Sequence, residues 1–285
     1  MQGEKGFCRT GKNAIVASYC VHRGEEPPIS GENGAGTIFF GYCNLNCVFC
    51  QNYQISQPEK EQTDHEVTIE RLAEMMLELQ QKGCHNIDLV TPSHVVPQIV
   101  AALDIAAEKG LVIPIVYNTN AYDSLETLRE LDGIVDIYLP DLKYASEKNS
   151  TLYSKAPNYP MTAKKAIKEM WKQVGPLDTD ENGIAKKGII IRHLLLPNFL
   201  DGPKECLNWI SGEISMFVHV SLMSQYYPEF KASDYPELSR TLTEKEYKKA
   251  LNILSDAGLS EGWNQDLNSS ATYRPDFSES GHPFE

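Results

Sequence analysis

From about residue 36 onward, stretches that read as strand alternate with stretches that read as helix, and this alternation is the strongest constraint on the fold. The strand candidates are residues 37–40, 86–90, 111–117, 134–139, 188–196 and 216–223. Ile69, Leu72, Met76 and Leu79 recur at intervals of three and four, as on one face of a helix. Thr68 is placed to cap that helix and Gly83 to end it. Residues 95–109, closed by Gly110, predict the next helix, and Asp123-Ser124-Leu125-Glu126 reads as a capping-box start. Residues 146–174 are partly helical and 203–211 and 243–258 helical, while the polar stretch 178–187, with Gly183, is a loop. The tail from about residue 264 reads as a surface-hugging end.

Six strands with intervening helices imply an α/β fold, a parallel sheet covered by helices. The apolar run Leu111-Val112-Ile113-Pro114-Ile115-Val116 suits a strand buried on both faces. Such units curl into an incomplete barrel or lie open as a doubly wound sheet, and periodicity does not choose between them. In both, ligands bind at the carboxyl ends of the strands. Residues 91–94, 118–122, 141–143 and Gln225 fall there, as does a loop with three cysteines after the first strand.

Composition narrows the function. With 26 Lys+Arg against 39 Asp+Glu the net charge is −13. That argues against a nucleic-acid binder, which needs a basic footprint. No apolar run approaches the ~18 residues of a membrane span. The start, Met1-Gln2-Gly3-Glu4-Lys5-Gly6, lacks an apolar signal core, so the expected compartment is the cytoplasm, with no nucleic acid and no membrane as partner. Seven cysteines, an odd number without an export signal, speak against a disulfide framework.

Three of the seven, Cys43, Cys47 and Cys50, fall within eight residues. Thiolates so spaced can converge on one soft metal centre. A [4Fe–4S] cluster normally takes four thiolates. Three leave one iron with an open position, which marks a reactive site rather than a closed structural one. Structural zinc is the rival, with His65, His85 or Cys84 as fourth ligand, although zinc knuckles favour cysteine pairs separated by two residues. Cys84 and Cys206 read as small core residues. Cys8 and Cys20 are too few for a second cluster.

Cys43, Cys47 and Cys50, with Phe49 just before the third cysteine and a strand before the first, resemble the cluster loop of the radical S-adenosylmethionine (SAM) superfamily. The run from Gly36 to Phe40 and on through Cys50-Gln51-Asn52 is similar to the activating enzymes of glycyl-radical proteins. Glu26-Pro27-Pro28-Ile29-Ser30-Gly31, Leu89-Val90-Thr91-Pro92-Ser93-His94 and Tyr138-Leu139-Pro140-Asp141-Leu142-Lys143 resemble the branch of pyruvate formate-lyase activating enzyme homologues. The resemblance covers most of residues 6–260. It implies a partial (β/α)6 TIM-like barrel over residues 36–260, an N-terminal extension of residues 1–35 packing on it, and a tail of residues 261–285. It further implies a [4Fe–4S] cluster that reductively cleaves SAM, and a 5′-deoxyadenosyl radical that abstracts hydrogen from a substrate. The implied partners are a glycyl-radical protein as substrate and an electron donor such as flavodoxin or ferredoxin.

The resemblance also places cofactor-binding residues, in each case beside an ordinary structural role. Phe49 flanks the cluster. Thr91 stands where superfamily members often carry Gly-Gly-Glu, so the SAM amine contact there falls to its carbonyl or hydroxyl, or the stretch is only a helix start. Asn118-Thr119-Asn120 is similar to Asp-Thr-Asn in the activases, an amide replacing the first acid, and Asp141-Leu142-Lys143 to their Asp-Leu-Lys. Arg192 lies in an apolar strand, where a charge is costly unless paired. The activases carry an arginine in a similar strand that reaches the SAM carboxylate or ribose; the rival role is an internal salt bridge. His193, on the opposite face, reads as a hydrogen-bonded histidine packed under a helix. Lys164, Lys165, Lys168 and Lys172 read as a solvated helix face. Two other functions stay open: a radical SAM enzyme acting on a small molecule, and a non-catalytic Fe–S or zinc protein that senses redox state or scaffolds a complex. Appended auxiliary clusters would favour the first, but residues 225–285 contain no cysteine.

Overall fold

The computed structural model describes residues 8–271, 274–277 and 282–284. Its first element, β1 (Ala14–His22), is a nine-residue strand within the segment expected only as an extension. After the one-turn helix α1 (Pro27–Ser30), β2 (Ala35–Phe40) pairs antiparallel with β1, with a bulge between Val16 and Ser18. The cysteine loop, α2 (Tyr53–Ser56) and β3 (Glu66–Val67) follow, β3 pairing with the start of β1. The alternation then runs α3 (Ile69–Gln81), β4 (Ile87–Val90), α4 (Val96–Glu108), β5 (Ile115–Thr119), α5 (Leu125–Glu130) and β6 (Ile137–Pro140). It continues through α6 (Glu147–Ser154), α7 (Tyr159–Val174), β7 (Asp178–Thr179), β8 (Ala185–Leu194), α8 (Pro203–Glu213), β9 (His219–Met223), α9 (Glu244–Asp256) and β10 (Gly262–Asn264).

The sheet order is β10-β9-β8-β6-β5-β4-β2-β1-β3, and every neighbouring pair from β2 to β10 along this path is parallel. Among the described residues its two ends do not pair, so the expected strands form the centre of a partial barrel, with β10 as a seventh parallel strand. Local chemistry explains the helices. Thr68 Oγ1 accepts from the Arg71 amide at 3.2 Å to cap α3, and Thr243 and Glu246 form a reciprocal capping box on α9.

Three expectations require correction. Residues 111–113 are not strand, and Val112 is 85% exposed. The amides of Val112 and Ile113 both donate to Gln80 Oε1, which holds the run at the end of α3 until Pro114 delivers it to β5. At α5, Ser124 is the N-cap but its side chain makes no capping bond. Asp123 instead turns inward, accepting from Tyr117 Oη at 2.9 Å and Thr119 Oγ1 at 2.7 Å. Residues 178–187 are not a plain loop: β7 folds back antiparallel on the start of β8.

The sheet's outer face packs on helices, with Ile38, Phe40 and Leu89 against Leu72, Met76 and Ile99. Inside the barrel a small apolar cluster closes the lower end. Ile29 of α1 is fully buried there among Ala35, Val116, Ile137, Leu139, Ala185 and Ile190. Burying that side chain stabilises the plug by about 2–3 kcal/mol. Asn86 Nδ2 holds the Ile29 carbonyl at 2.8 Å. Cys84 and Cys206 are buried in the outer core. On α7, Lys164 lies over the Trp209 ring and Lys168 pairs with Glu213. Among the described residues no helix is long and apolar enough to cross a membrane.

Candidate active site

The cysteine loop is fixed from several sides before its sulfurs are considered. Leu45, Val48 and Phe49 are buried anchors. The amides of Asn46 and Val48 donate to the carbonyls of Ser154 and Tyr153 at the end of α6, at 3.0 and 2.8 Å. Lys231 N reaches the Val48 carbonyl at 2.9 Å, tying the segment after β9 to the loop. Asn120 Nδ2 donates to Asn44 Oδ1 at 2.7 Å, and Asn44 Nδ2 to the Tyr122 carbonyl at 2.8 Å.

Held this way, Cys43, Cys47 and Cys50 all line one cavity of about 230 Å³ at the carboxyl ends of the strands. Hydrogen-bond donors surround the sulfurs: Leu45 N and Asn120 Nδ2 lie 3.3 and 3.5 Å from Cys43 Sγ, and Ser154 Oγ 3.0 Å from Cys47 Sγ. Cys50 Sγ and Ser56 Oγ are 3.2 Å apart. Burial pushes the Cys43 thiol up to about 12 and the Cys47 thiol up to about 11, and it raises Cys50 as well. The thiolates therefore need compensating positive charge, which iron bound there would supply. Among the described residues no three His, Cys, Asp or Glu side chains are arranged to hold a single metal ion. A cluster takes each thiolate on a different iron and asks only that all three face one space. None of His65, His85 and Cys84, the ligands a zinc site would call on, lines this cavity. His85 Nε2 instead accepts from Asn33 N at 3.2 Å.

The other residues singled out in the sequence converge on the same cavity: Phe49, Thr91, Asn118, Asp141 and Arg192 all line it. Phe49 meets Tyr226 edge to face, their ring centroids 5.7 Å apart. Thr91 adopts a left-handed conformation (φ 59°, ψ 52°) and alone of its Thr-Pro-Ser-His stretch lines the cavity. Its amide donates to the Asn118 carbonyl at 2.9 Å. Arg192 forms both a cavity wall and an internal ion pair. Nε donates to Asp141 Oδ1 at 2.7 Å, Nη1 to Glu25 Oε2 at 3.2 Å and Nη2 to Asn118 Oδ1 at 2.5 Å. Lys143 Nζ donates to Asp141 Oδ2 at 2.6 Å. Burial alone would raise the Asp141 carboxyl, but Arg192 and Lys143 hold it below its ordinary value. Burial likewise opposes the Lys143 charge, and Asp141 more than restores it. Behind them, His193 bridges the Leu142 carbonyl at 2.6 Å and Asp201 Oδ2 at 2.8 Å, fixing the turn from which Asp141 and Lys143 project.

Several lining residues were given no cofactor or metal role from the sequence. His22, Glu25 and Glu26 come from the N-terminal segment. Gln265 follows β10, and its Nε2 donates to Gln225 Oε1 at 2.6 Å, while Gln225 Nε2 donates to Gln51 Oε1 at 3.1 Å. In the sequence Gln225 lies just beyond a strand end and Lys143 within the Asp-Leu-Lys motif. Glu26 opens the Glu-Pro-Pro-Ile-Ser-Gly stretch that carries part of the resemblance, while Glu25 had no signal beyond standing next to it.

Comparison with known proteins agrees with this architecture. A sequence model described as the radical SAM superfamily matches residues 37–174. An uncharacterized protein of Methanocaldococcus jannaschii is 34% identical over 268 residues, which span 93% of this chain and 72% of the relative. The chain belongs to the radical SAM superfamily. Superfamily membership makes the protein an enzyme and gives it a [4Fe–4S] cluster and SAM as cofactors. Two solved structures share the fold at low identity. Methylornithine synthase aligns with a TM-score of 0.53 and 16% identity over 88% of this chain and 74% of its own. The FeFe-hydrogenase maturase HydG from Carboxydothermus hydrogenoformans aligns with a TM-score of 0.54 and 13% identity over 78% of this chain, which spans half of that protein.

Proposed function

We propose that this radical SAM enzyme is an activase of the glycyl-radical type, working in the cytosol and drawing hydrogen from a glycine Cα of a partner protein. The observation that carries the reading is the convergence of Cys43, Cys47 and Cys50 with Asn118, Asp141, Lys143 and Arg192 on one cavity. In the proposed arrangement the three cysteines hold the cluster, and Phe49, Thr91, Asn118, Asp141 and Arg192 surround SAM. When bound, the cluster supplies one electron, received from a flavodoxin or ferredoxin, for cleavage of SAM to methionine and a 5′-deoxyadenosyl radical. The chain's own residues orient and enclose. Lys143 offers N–H groups for a carboxylate beside the cluster, while Asp141, clamped between Lys143 and Arg192, fixes both cations. Phe49 and Tyr226 form an apolar surface that keeps water from the reacting carbon–hydrogen bond. The amides of Gln51, Gln225 and Gln265 present an uncharged polar wall, which suits a peptide segment better than a charged metabolite.

Anaerobic reconstitution with iron and sulfide, followed by SAM and a strong reductant, tests the chemistry. 5′-Deoxyadenosine, quantified by mass spectrometry, is expected from the wild type and not from Cys47→Ala. Absence of product from a fully loaded wild type would overturn the catalytic reading. Transfer of deuterium from a glycine-labelled partner into the product would establish the activase role, whereas labelling only from a small molecule would refute it.

A further inference from the structure

The lower part of the cavity carries more buried acid than its bases balance. Glu25, Glu26 and Asp141 line it together with only Arg192 and Lys143, and Asp88 lies buried behind them. Arg192 directs its donors to Asp141, Asn118 and Glu25, and Lys143 donates to Asp141. Glu26 is only 8% exposed and Asp88 not at all, yet Glu26 Oε2 and Asp88 Oδ1 have no hydrogen-bond partner among the described residues. The other Asp88 oxygen is held by Thr37 Oγ1 and Asn118 Nδ2 at 3.4 and 3.5 Å. A buried carboxylate oxygen without a partner costs free energy. Two of them, one on a residue lining the cavity, call for positive charge brought by a ligand. Glu25 and Glu26 precede the stretch matched by the superfamily, and Ile29, seated in the barrel's lower end, fixes the segment that carries them.

We propose that Glu26, backed by Glu25 and Asp88, makes this cavity select a positively charged ligand, favouring a sulfonium nucleoside over its neutral thioether counterpart. The inference rests on the reading that SAM occupies the cavity and adds an N-terminal charge-selecting element to it. SAM and S-adenosylhomocysteine share the adenosine, ammonium and carboxylate groups and differ by a methyl and one positive charge, so the change in their relative affinity when Glu26 loses its charge reports on the sulfonium.

The test is anaerobic equilibrium dialysis of cluster-loaded protein against each compound. Wild type is expected to prefer SAM, and Glu26→Gln, which keeps the side chain's shape, to shrink the ratio of the two Kd values by about tenfold. The change should come from weaker SAM binding, with the thioether held as before. A merely structural role would weaken both ligands alike, and that result, or an unchanged ratio, overturns the proposal. Asp88→Asn repeats the test from β4 should Glu26→Gln fail to load its cluster, as judged by visible absorbance. Wild type that loads its cluster but binds neither compound would overturn the SAM reading itself. Wild type that binds both equally would overturn the charge selection alone.

Discussion

His22 ends β1 buried between aromatic rings, stacked on Phe284 at 4.4 Å and edge-on to Phe39 at 6.3 Å. Burial, reinforced by the nearby His282, lowers its pKa to about 4. An unfolded chain holds a histidine near 6.5. Between those values the unfolded state binds a proton that the folded state refuses. The stability present above pH 6.5 is therefore lost as pH falls toward 4, by on the order of 3 kcal/mol. His22→Phe keeps the stack and removes the titration. The gap in unfolding free energy between variant and wild type, measured by urea titration from pH 7 to pH 4, should shift in the variant's favour by that amount. A constant gap would show that His22 takes up its proton equally in both states. At this scale the three cysteines were legible because their chemistry sits within eight consecutive residues. Glu25 and His22 were not, since an acid or an imidazole gains its meaning only from the barrel wall it meets.

Strands and helices couple through single side chains that pattern reading places but does not connect. His193 could be assigned from alternation to the outer face of β8. Only the structure shows that it holds the turn after β6, through the Leu142 carbonyl, and Asp201 ahead of α8. His193→Leu would remove the buried partner of the Leu142 carbonyl and of Asp201 Oδ2, costing about 3–5 kcal/mol. Chemical denaturation should show that loss, and an effect below ~1 kcal/mol would mean that the bridge is not what fixes the turn. The misread elements have similar causes. Residues 111–113 are as apolar as a central strand, but Gln80 captures the amides of Val112 and Ile113 at the barrel rim. The β7 hairpin is short and polar, and β10 has three residues with no alternation to detect; both exist because a partner edge was available.

For the whole molecule, the cavity is assembled from segments between residues 22 and 284, so the succession of strands and helices along the chain was readable while their closure around the site was not. The cluster loop lies where those segments meet, bonded to the end of α6 and to the residues after β9. Three thiols whose pKa values are raised by burial are a poor core in the absence of metal, because thiolate formation there would depend on bound iron. Cluster binding should therefore stabilise the folded chain by mass action and tighten the loop together with both of its anchors. Stripping the cluster from reconstituted protein with ferricyanide and a chelator is expected to lower the thermal midpoint. It should also speed hydrogen exchange at the amides of Asn46, Val48 and Lys231, which bridge the loop to its neighbours. Cys47→Ala, taken through the same treatment, should show no change in midpoint or exchange. If stripped and loaded wild type exchanged alike at all three amides, the loop would be rigid through its backbone bonds alone, and the cluster would contribute chemistry without contributing to the fold.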